Sequence, residues 1–205
     1  FNVDLARAVC EELGASCSLR VKAFEALPDA LMAGEGDAIL SGLAKTEALR
    51  REMAFSDTYM RLPARFVLGQ GTDSFDPNMP SAKRISVEAG SRHEAFLKAA
   101  FPGLAVEPFP TAGEARAALK EGKADVHFGD GMALSFWLAS KEADGCCRFV
   151  PGPWLEPRYF GDGLSIALRR DEQALLDALN YALRQVQDKG IYGELYLRYF
   201  PVGFY

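Results

Sequence analysis

Asp130 follows the apolar run Val126-His127-Phe128 and stands between Gly129 and Gly131. A carboxylate at a strand end is placed to take an ammonium group, and the same residue is a natural N-cap for the helix that follows. Ser91 opens another helix after Ala89-Gly90, so its free backbone N–H groups suit an anion, again with plain capping as the alternative. Phe24, after an apolar-alternating stretch, offers a ring to stack on a ligand or to pack into a core. His93 and His127 are far apart in sequence and lack metal-spaced neighbours, so both read as surface positions. There is no Gly-x-Ser-x-Gly elbow, no phosphate-binding loop, no dinucleotide fingerprint and no nucleophile–base pair. These residues point to binding, with no cofactor and no metal.

The elements that must position them alternate. The pattern gives a helix over Val3–Leu13, a strand over Ser18–Ala23, a helix over Glu25–Ala33 and a strand over Asp37–Leu40. An arginine-bearing polar turn at Glu47–Met53 and a strand-like run Ala64–Leu68 follow, then a loop from Gly69 to Pro80. Next come a strand Arg84–Glu88, a helix His93–Ala100 capped by a Ser91/Glu94 box, a strand Leu104–Pro108 and a helix Ala112–Lys120. Strand Val126–Phe128, helix Met132–Ser140, strand Arg148–Val150 and strand Leu164–Leu168 precede two closing helices, Glu172–Asp188 and Tyr192–Tyr199. Such alternation implies parallel sheets, whose ligands bind beyond the strand carboxyl ends.

One sentence of sequence occurs twice. Ala30-Leu31-Met32-Ala33-Gly34-Glu35-Gly36-Asp37 and Ala118-Leu119-Lys120-Glu121-Gly122-Lys123-Ala124-Asp125 share a register 88 residues apart. Each reads as a helix end, a glycine stop and a short strand with a polar finish, Ser41-Gly42 in the first copy and Asp130 in the second. Two similar α/β lobes whose strand ends face a ligand cleft would account for the echo.

Composition bounds the rest. The chain has 205 residues, 49% hydrophobic and 25% charged, with a formal net charge of -5. A mildly acidic chain without a basic cluster argues against nucleic acid or an anionic membrane as partner. No apolar run approaches the ~20 residues that span a bilayer. Phe1 is preceded by no signal segment, and the first residues read as a helix, so a first strand is expected to be missing. Cys10 and Cys17 flank a turn at Gly14, where a disulfide is sensible and two buried thiols are the alternative. Cys146-Cys147 is a vicinal pair, read as free thiols.

These residues together resemble the family 3 extracellular solute-binding proteins, the polar amino-acid receptors of ABC importers. The resemblance is carried by Phe1-Asn2-Val3-Asp4-Leu5-Ala6, by Asp37–Leu43 with Thr46, and by Phe55-Ser56-Asp57-Thr58-Tyr59. It continues through Tyr159-Phe160-Gly161-Asp162-Gly163, Ile166-Ala167-Leu168-Arg169 and Gly190-Ile191-Tyr192, and so covers the chain in order. It implies an α/β, two-lobed periplasmic binding protein (type II) fold with two crossover strands, hinged at Leu62–Arg65 and Arg158–Gly161. Lobe 1 would be 1–62 plus 162–205, and lobe 2 would be 63–161. The lysine/arginine/ornithine and histidine receptors of the family carry a Cys-x6-Cys disulfide where Cys10 and Cys17 stand, which favours that pairing.

By the same resemblance Phe24 stacks on the ligand side chain, while Ser41, Gly42 and the Ala44 amide line the carboxylate and ammonium site. Ser91 and Arg92 would stand opposite, and Asp130 would hold the α-ammonium. The family's carboxylate-binding arginine falls at Leu49 here, which leaves Arg50 and Arg92 as candidates for that role. The implied setting is a monomeric periplasmic receptor, its signal peptide removed, delivering an amino acid or related zwitterion to a membrane permease. The same fold also serves as a ligand-sensing input domain of receptors and, in a few relatives, as a dehydratase. A transmembrane segment after Tyr205 would indicate the sensor, and turnover of prephenate-like acids the enzyme.

Overall fold

The computed structural model describes residues 1–43, 45–79 and 82–205. The chain divides into two units, Phe1–Arg61 with Asp162–Tyr199, and Leu62–Gly161 with Phe200–Tyr205.

The first unit opens with α1 (Asn2–Glu12), whose Leu5, Ala8 and Val9 are buried at the i, i+3, i+4 spacing of one helix face. A 3₁₀ turn Phe24–Ala26 leads into α2 (Leu27–Met32), then β1 (Ala38–Ile39), α3 (Glu47–Glu52) and β2 (Met53–Phe55). After the chain returns come β8 (Ala167–Arg169), α8 (Gln173–Asp188) and α9 (Ile191–Tyr199). The three strands pair antiparallel in the order β1-β8-β2. Leu31, Ile39, Leu43, Met53 and Ala167 form the core beneath them.

The second unit contains β3 (Ala64–Leu68), β4 (Arg84–Glu88), α4 (Arg92–Ala100), β5 (Ala105–Phe109), α5 (Ala112–Lys120), β6 (Val126–Asp130), α6 (Gly131–Leu138), β7 (Arg148–Phe149) and α7 (Pro157–Phe160). Its sheet runs β5-β4-β6-β3-β7. Both faces are covered, and strand period two sorts the side chains between them. Ala64, Phe66, Leu68, Ile85, Val87, Val126 and Phe128 go to one face with Phe96, Leu97 and Phe101. Val67 goes to the other with Leu119, Leu134 and Trp137.

Several expectations need correction. The first unit's sheet is antiparallel and the second unit's is mixed: β4 runs parallel to β5 and β6, but β3 runs antiparallel to β6 and β7. The strand expected over Ser18–Ala23 is absent. That stretch is irregular and exposed, with Val21 97% accessible, and an extended segment with no paired neighbour forms no ladder. The turn expected at Glu47–Met53 is α3, because Thr46 caps it by accepting the Leu49 N–H at 3.3 Å.

The echo survives in the hydrogen bonds. Ala33, Gly34 and Glu35 donate to Asp29, Leu31 and Ala30, while Glu121, Gly122 and Lys123 donate to Ala117, Leu119 and Ala118, in the same register. Gly34 and Gly122 sit at φ of 73° and 71°, the left-handed conformation that ends a helix cheaply only with glycine. Asp37 and Asp125 each take an arginine, Arg169 at 3.3 Å and Arg84 at 3.1 Å.

Cys10 and Cys17 are bonded, with Cα atoms 6.1 Å apart. Cys146 and Cys147 are bonded too, which overturns the free-thiol reading. Asp144 and Gly145, both at positive φ, turn the chain ahead of the pair, and Cys146 is buried beside Leu134 and Trp137. None of the described helices is long and apolar enough to cross a membrane.

Candidate functional site

In the second unit the polar groups gather at one end of β6 and the start of α4. Register sets Asp130 opposite Ala64, and the next amide, Gly131 N–H, donates to Pro63 O at 2.8 Å. A Cβ on Gly131 would lie 2.8 Å from that same oxygen and 2.9 Å from Arg65 Cγ, so only glycine lets β6 end against β3 this closely. Asp130 Oδ1 accepts the Ala133 N–H at 2.9 Å and caps α6. Its Oδ2 lies 3.6 Å from Arg92 Nη2, with the carboxylate side chain 24% exposed. The structure therefore brings Asp130 and Arg92 together, and the two oxygens are used differently.

Ser91 caps α4 as its sequence suggests: its hydroxyl accepts Glu94 N–H at 3.1 Å and donates to Glu88 O at 2.7 Å. The return bond of the box goes to Gly90, whose N–H donates to Glu94 Oε2 at 2.6 Å. Lys98 and then this amide hold the Glu94 carboxyl below its ordinary range.

Both histidines are buried, contrary to the surface reading. His93 is 9% exposed and stacks on Phe160 with centroids 5.4 Å apart. Burial, then the neighbouring Arg92 charge, pushes it down to about 4, with Asp130 opposing. His127 is 2% exposed, its Nδ1 3.1 Å from Ser86 Oγ. Burial first, then Arg116, pushes it down to about 3. The reason is the two-sided sheet: beside Phe128 on one face, its neighbour His127 must face the α5/α6 side. His93 could have been found from its place one residue past Arg92, on the same helix turn as the cap.

In the first unit the predicted residues scatter. Phe24 begins the 3₁₀ turn and is 50% exposed. Ser41 Oγ is buried with no hydrogen-bond partner among the described residues, and Gly42 takes φ of 79° against Leu164. Ala44 lies outside the described residues. Leu49 packs against the Leu31/Ile39/Met53 core. Arg50 donates from Nε to Lys45 O at 3.2 Å and pairs with Asp162 at 2.5 Å. Two further polar groups emerge to which the motifs gave no role. Lys45 Nζ donates to Thr58 Oγ1 at 2.9 Å, and Thr58 Oγ1 donates to Asp162 O at 3.0 Å. The signal was Lys45 itself, a charge that closes the apolar block Leu43-Ala44.

The Ser86–His127 contact sets a hydroxyl beside an imidazole, but both side chains are buried and the Ser86 hydroxyl donates to Ala115 O at 2.8 Å. Among the described residues no group of three or more His, Cys, Asp or Glu is placed to hold a metal ion. What remains is a set of charged and hydroxyl groups suited to holding a small polar molecule.

Known proteins are similar to this chain along nearly all of its length. It is 30% identical over 201 residues to the ABC transporter arginine-binding protein 1 of Escherichia coli (strain K12), covering 98% of this chain and 81% of that one. It is 28% identical over 209 residues to the lysine/arginine/ornithine-binding periplasmic protein of the same strain, covering 100% and 80%. In fold it matches the L-cystine solute receptor of Neisseria gonorrhoeae with a TM-score of 0.82 at 18% identity, over 98% of this chain and 82% of that one. Residues 1–202 match the bacterial extracellular solute-binding proteins, family 3, and the chain belongs to that family.

Proposed function

We propose that this protein is the periplasmic substrate-binding component of an ABC importer, that it binds an amino acid or related small zwitterion as a monomer, and that it hands the ligand to a membrane permease without chemical change. The observation that carries the reading is the Arg92–Asp130 pair at the end of β6. A guanidinium and a carboxylate 3.6 Å apart, both partly exposed, present the two charges that a zwitterion's own ends require. Asp130 Oδ2 takes the α-ammonium, and Ser91 and Arg92 offer a hydroxyl and a guanidinium nearby. From the first unit, Phe24, Ser41, Gly42 and Ala44 serve the same ligand. Arg50 is a weaker candidate for carboxylate binding, because Asp162 already neutralises it. The relatives named above support an amino acid as the solute.

The test is a thermal-shift screen of the twenty common L-amino acids, followed by calorimetry. A ligand at 100 times its Kd stabilises by about 2.7 kcal/mol, which for a chain of this size raises Tm by roughly 5–10 °C. No shift with any of them, while a known receptor responds alongside, would overturn the reading. Asp130→Asn is the informative variant, because asparagine keeps the α6 cap while removing the charge. It is expected to abolish binding with Tm within a degree or two of wild type, and retained affinity would sink the ammonium assignment.

A further inference from the structure

Lys45 sits in the first unit in an arrangement that its fold-stabilising contacts do not explain. Its ammonium carries three N–H donors. One goes to Thr58 Oγ1 at 2.9 Å, and a second reaches Ser56 O only at the limiting distance of 3.5 Å. Among the described residues no carboxylate lies within ion-pair reach of Lys45. The two nearest acids are already taken, Asp162 by Arg50 at 2.5 Å and Asp57 by Arg184 at 3.1 Å. The group is half-buried, so water does not fully replace the missing counter-charge.

The charged groups around it are Arg50, Asp162 and Asp57. Asp162 is paired with Arg50 and Asp57 with Arg184, so Lys45 is the one excess positive charge of these five groups. Lys45 is held below the ordinary lysine range, by burial first and by Arg50 next, and the two acids only partly restore it. A half-buried cation repelled by its neighbour is what an arriving anion relieves. In the same stretch, four residues before Lys45, the Ser41 hydroxyl is buried and finds no hydrogen-bond partner among the described residues. Such a hydroxyl is costly to bury without an acceptor, and donating to a carboxylate would satisfy it.

We infer that Lys45 is the specificity-determining cation that binds the ligand's carboxylate, with Thr58 holding the ammonium in place and the Arg50–Asp162 pair setting its charge environment. The inference rests on the amino-acid reading above and adds to it the residue that selects for a free carboxylate. In the first unit the role falls to Lys45 because Leu49 packs against the core and the Arg50 guanidinium is neutralised by Asp162, while in the second unit Arg92 already has Asp130 as its partner at 3.6 Å.

The experiment uses the full chain, the twenty common L-amino acids, and the α-carboxamide of whichever amino acid binds most tightly. Calorimetry is run on wild type, Lys45→Met and Lys45→Arg, with a thermal melt of each ligand-free variant. Lys45→Met is expected to weaken the amino acid by at least tenfold and its carboxamide by less than twofold, while Lys45→Arg stays within threefold of wild type. Its ligand-free Tm should not fall, since an unmatched half-buried charge has been replaced by a methyl thioether of similar length. Unchanged amino-acid affinity in Lys45→Met overturns the inference and leaves the amino-acid reading standing. Equal losses for acid and carboxamide also overturn it, because they would mark a structural role. Absence of any amino-acid binder in wild type overturns both.

Discussion

His93 and His127 are the whole imidazole complement of the chain, and both are buried in the second unit. Unfolded, each titrates near 6.5; folded, His93 titrates at about 4 and His127 at about 3. Between those values the unfolded chain binds protons that the folded one refuses, so stability falls as pH falls. The contribution is fully present above pH 6.5 and is lost progressively below it. At pH 5 each histidine costs about 2 kcal/mol relative to pH 8, and the two together about 4 kcal/mol. For an ordinary domain that is a large share of the total. Carboxylates do not confuse the window. Asp4 and Asp125 are held below their ordinary 3.8, and Glu35 and Glu94 below 4.5, so most of their loss comes under those values and only its onset reaches pH 5.

Both tryptophans, Trp137 and Trp154, also lie in the second unit, so their fluorescence reports the unit in question. Urea titrations at pH 8 and pH 5 would be compared for wild type, His93→Gln, His127→Gln and the double variant. Glutamine keeps a polar group facing Ser86 but binds no proton. Wild type should lose about 4 kcal/mol across the window, each single variant about half of that, and the double variant less than about 1 kcal/mol. A double variant that loses as much as wild type would refute the reasoning outright, since no imidazole would remain to carry the effect.

Gly163 takes φ of 87°, and a Cβ there would overlap Met60 O and come within 2.7 Å of Thr58 Cγ2. Gly163→Ala should cost more than about 2 kcal/mol, and a change in urea midpoint worth under about 0.5 kcal/mol would contradict it. Ser91→Ala removes both the acceptor for Glu94 N–H and the donor to Glu88 O, and should cost about 1 kcal/mol at pH 8. Replacing Cys10 and Cys17 together by serine opens a loop of about eight residues, for which chain entropy gives about 2.5 kcal/mol. A double-serine variant as stable as wild type would show that the 15–23 segment gains nothing from the staple.

Where local chemistry decides the structure, the residues were readable. Ser91 with Glu94, Gly34 and Gly122 at helix ends, and the α8 stripe of Leu179, Leu183 and Val186 all behave as their types dictate. Where a distant neighbour decides, they were not. His127 is buried because α5 and α6 cover a face that a three-residue run cannot reveal. The direction of β3 against β6 depends on where the chain re-enters the sheet, which alternation of helix and strand does not encode. Residues 18–23 alternate as a strand should, yet a strand exists only with a neighbour to bond. Arg50 shows the same limit at the site: its spacing was visible, but its capture by Asp162, 112 residues on, was not.

In the proposed function, capping and ligand binding do not compete for Asp130. A carboxylate has two oxygens, and α6 uses only Oδ1, at 2.9 Å from Ala133 N. The cap fixes the side chain's direction, and that direction points Oδ2 toward Arg92. Gly131 fixes the backbone beneath it, since any side chain there would collide with Pro63, just ahead of β3, and with Arg65 on it. Three constraints therefore hold one oxygen in place before any solute arrives, and a group held in place loses little entropy on binding. Asp130→Glu separates this from a simple need for charge. Its longer arm keeps the carboxylate but moves it off the cap geometry, so affinity should fall at least tenfold while α6 loses its cap. Wild-type affinity in Asp130→Glu would mean that charge alone suffices and that the cap plays no part in recognition.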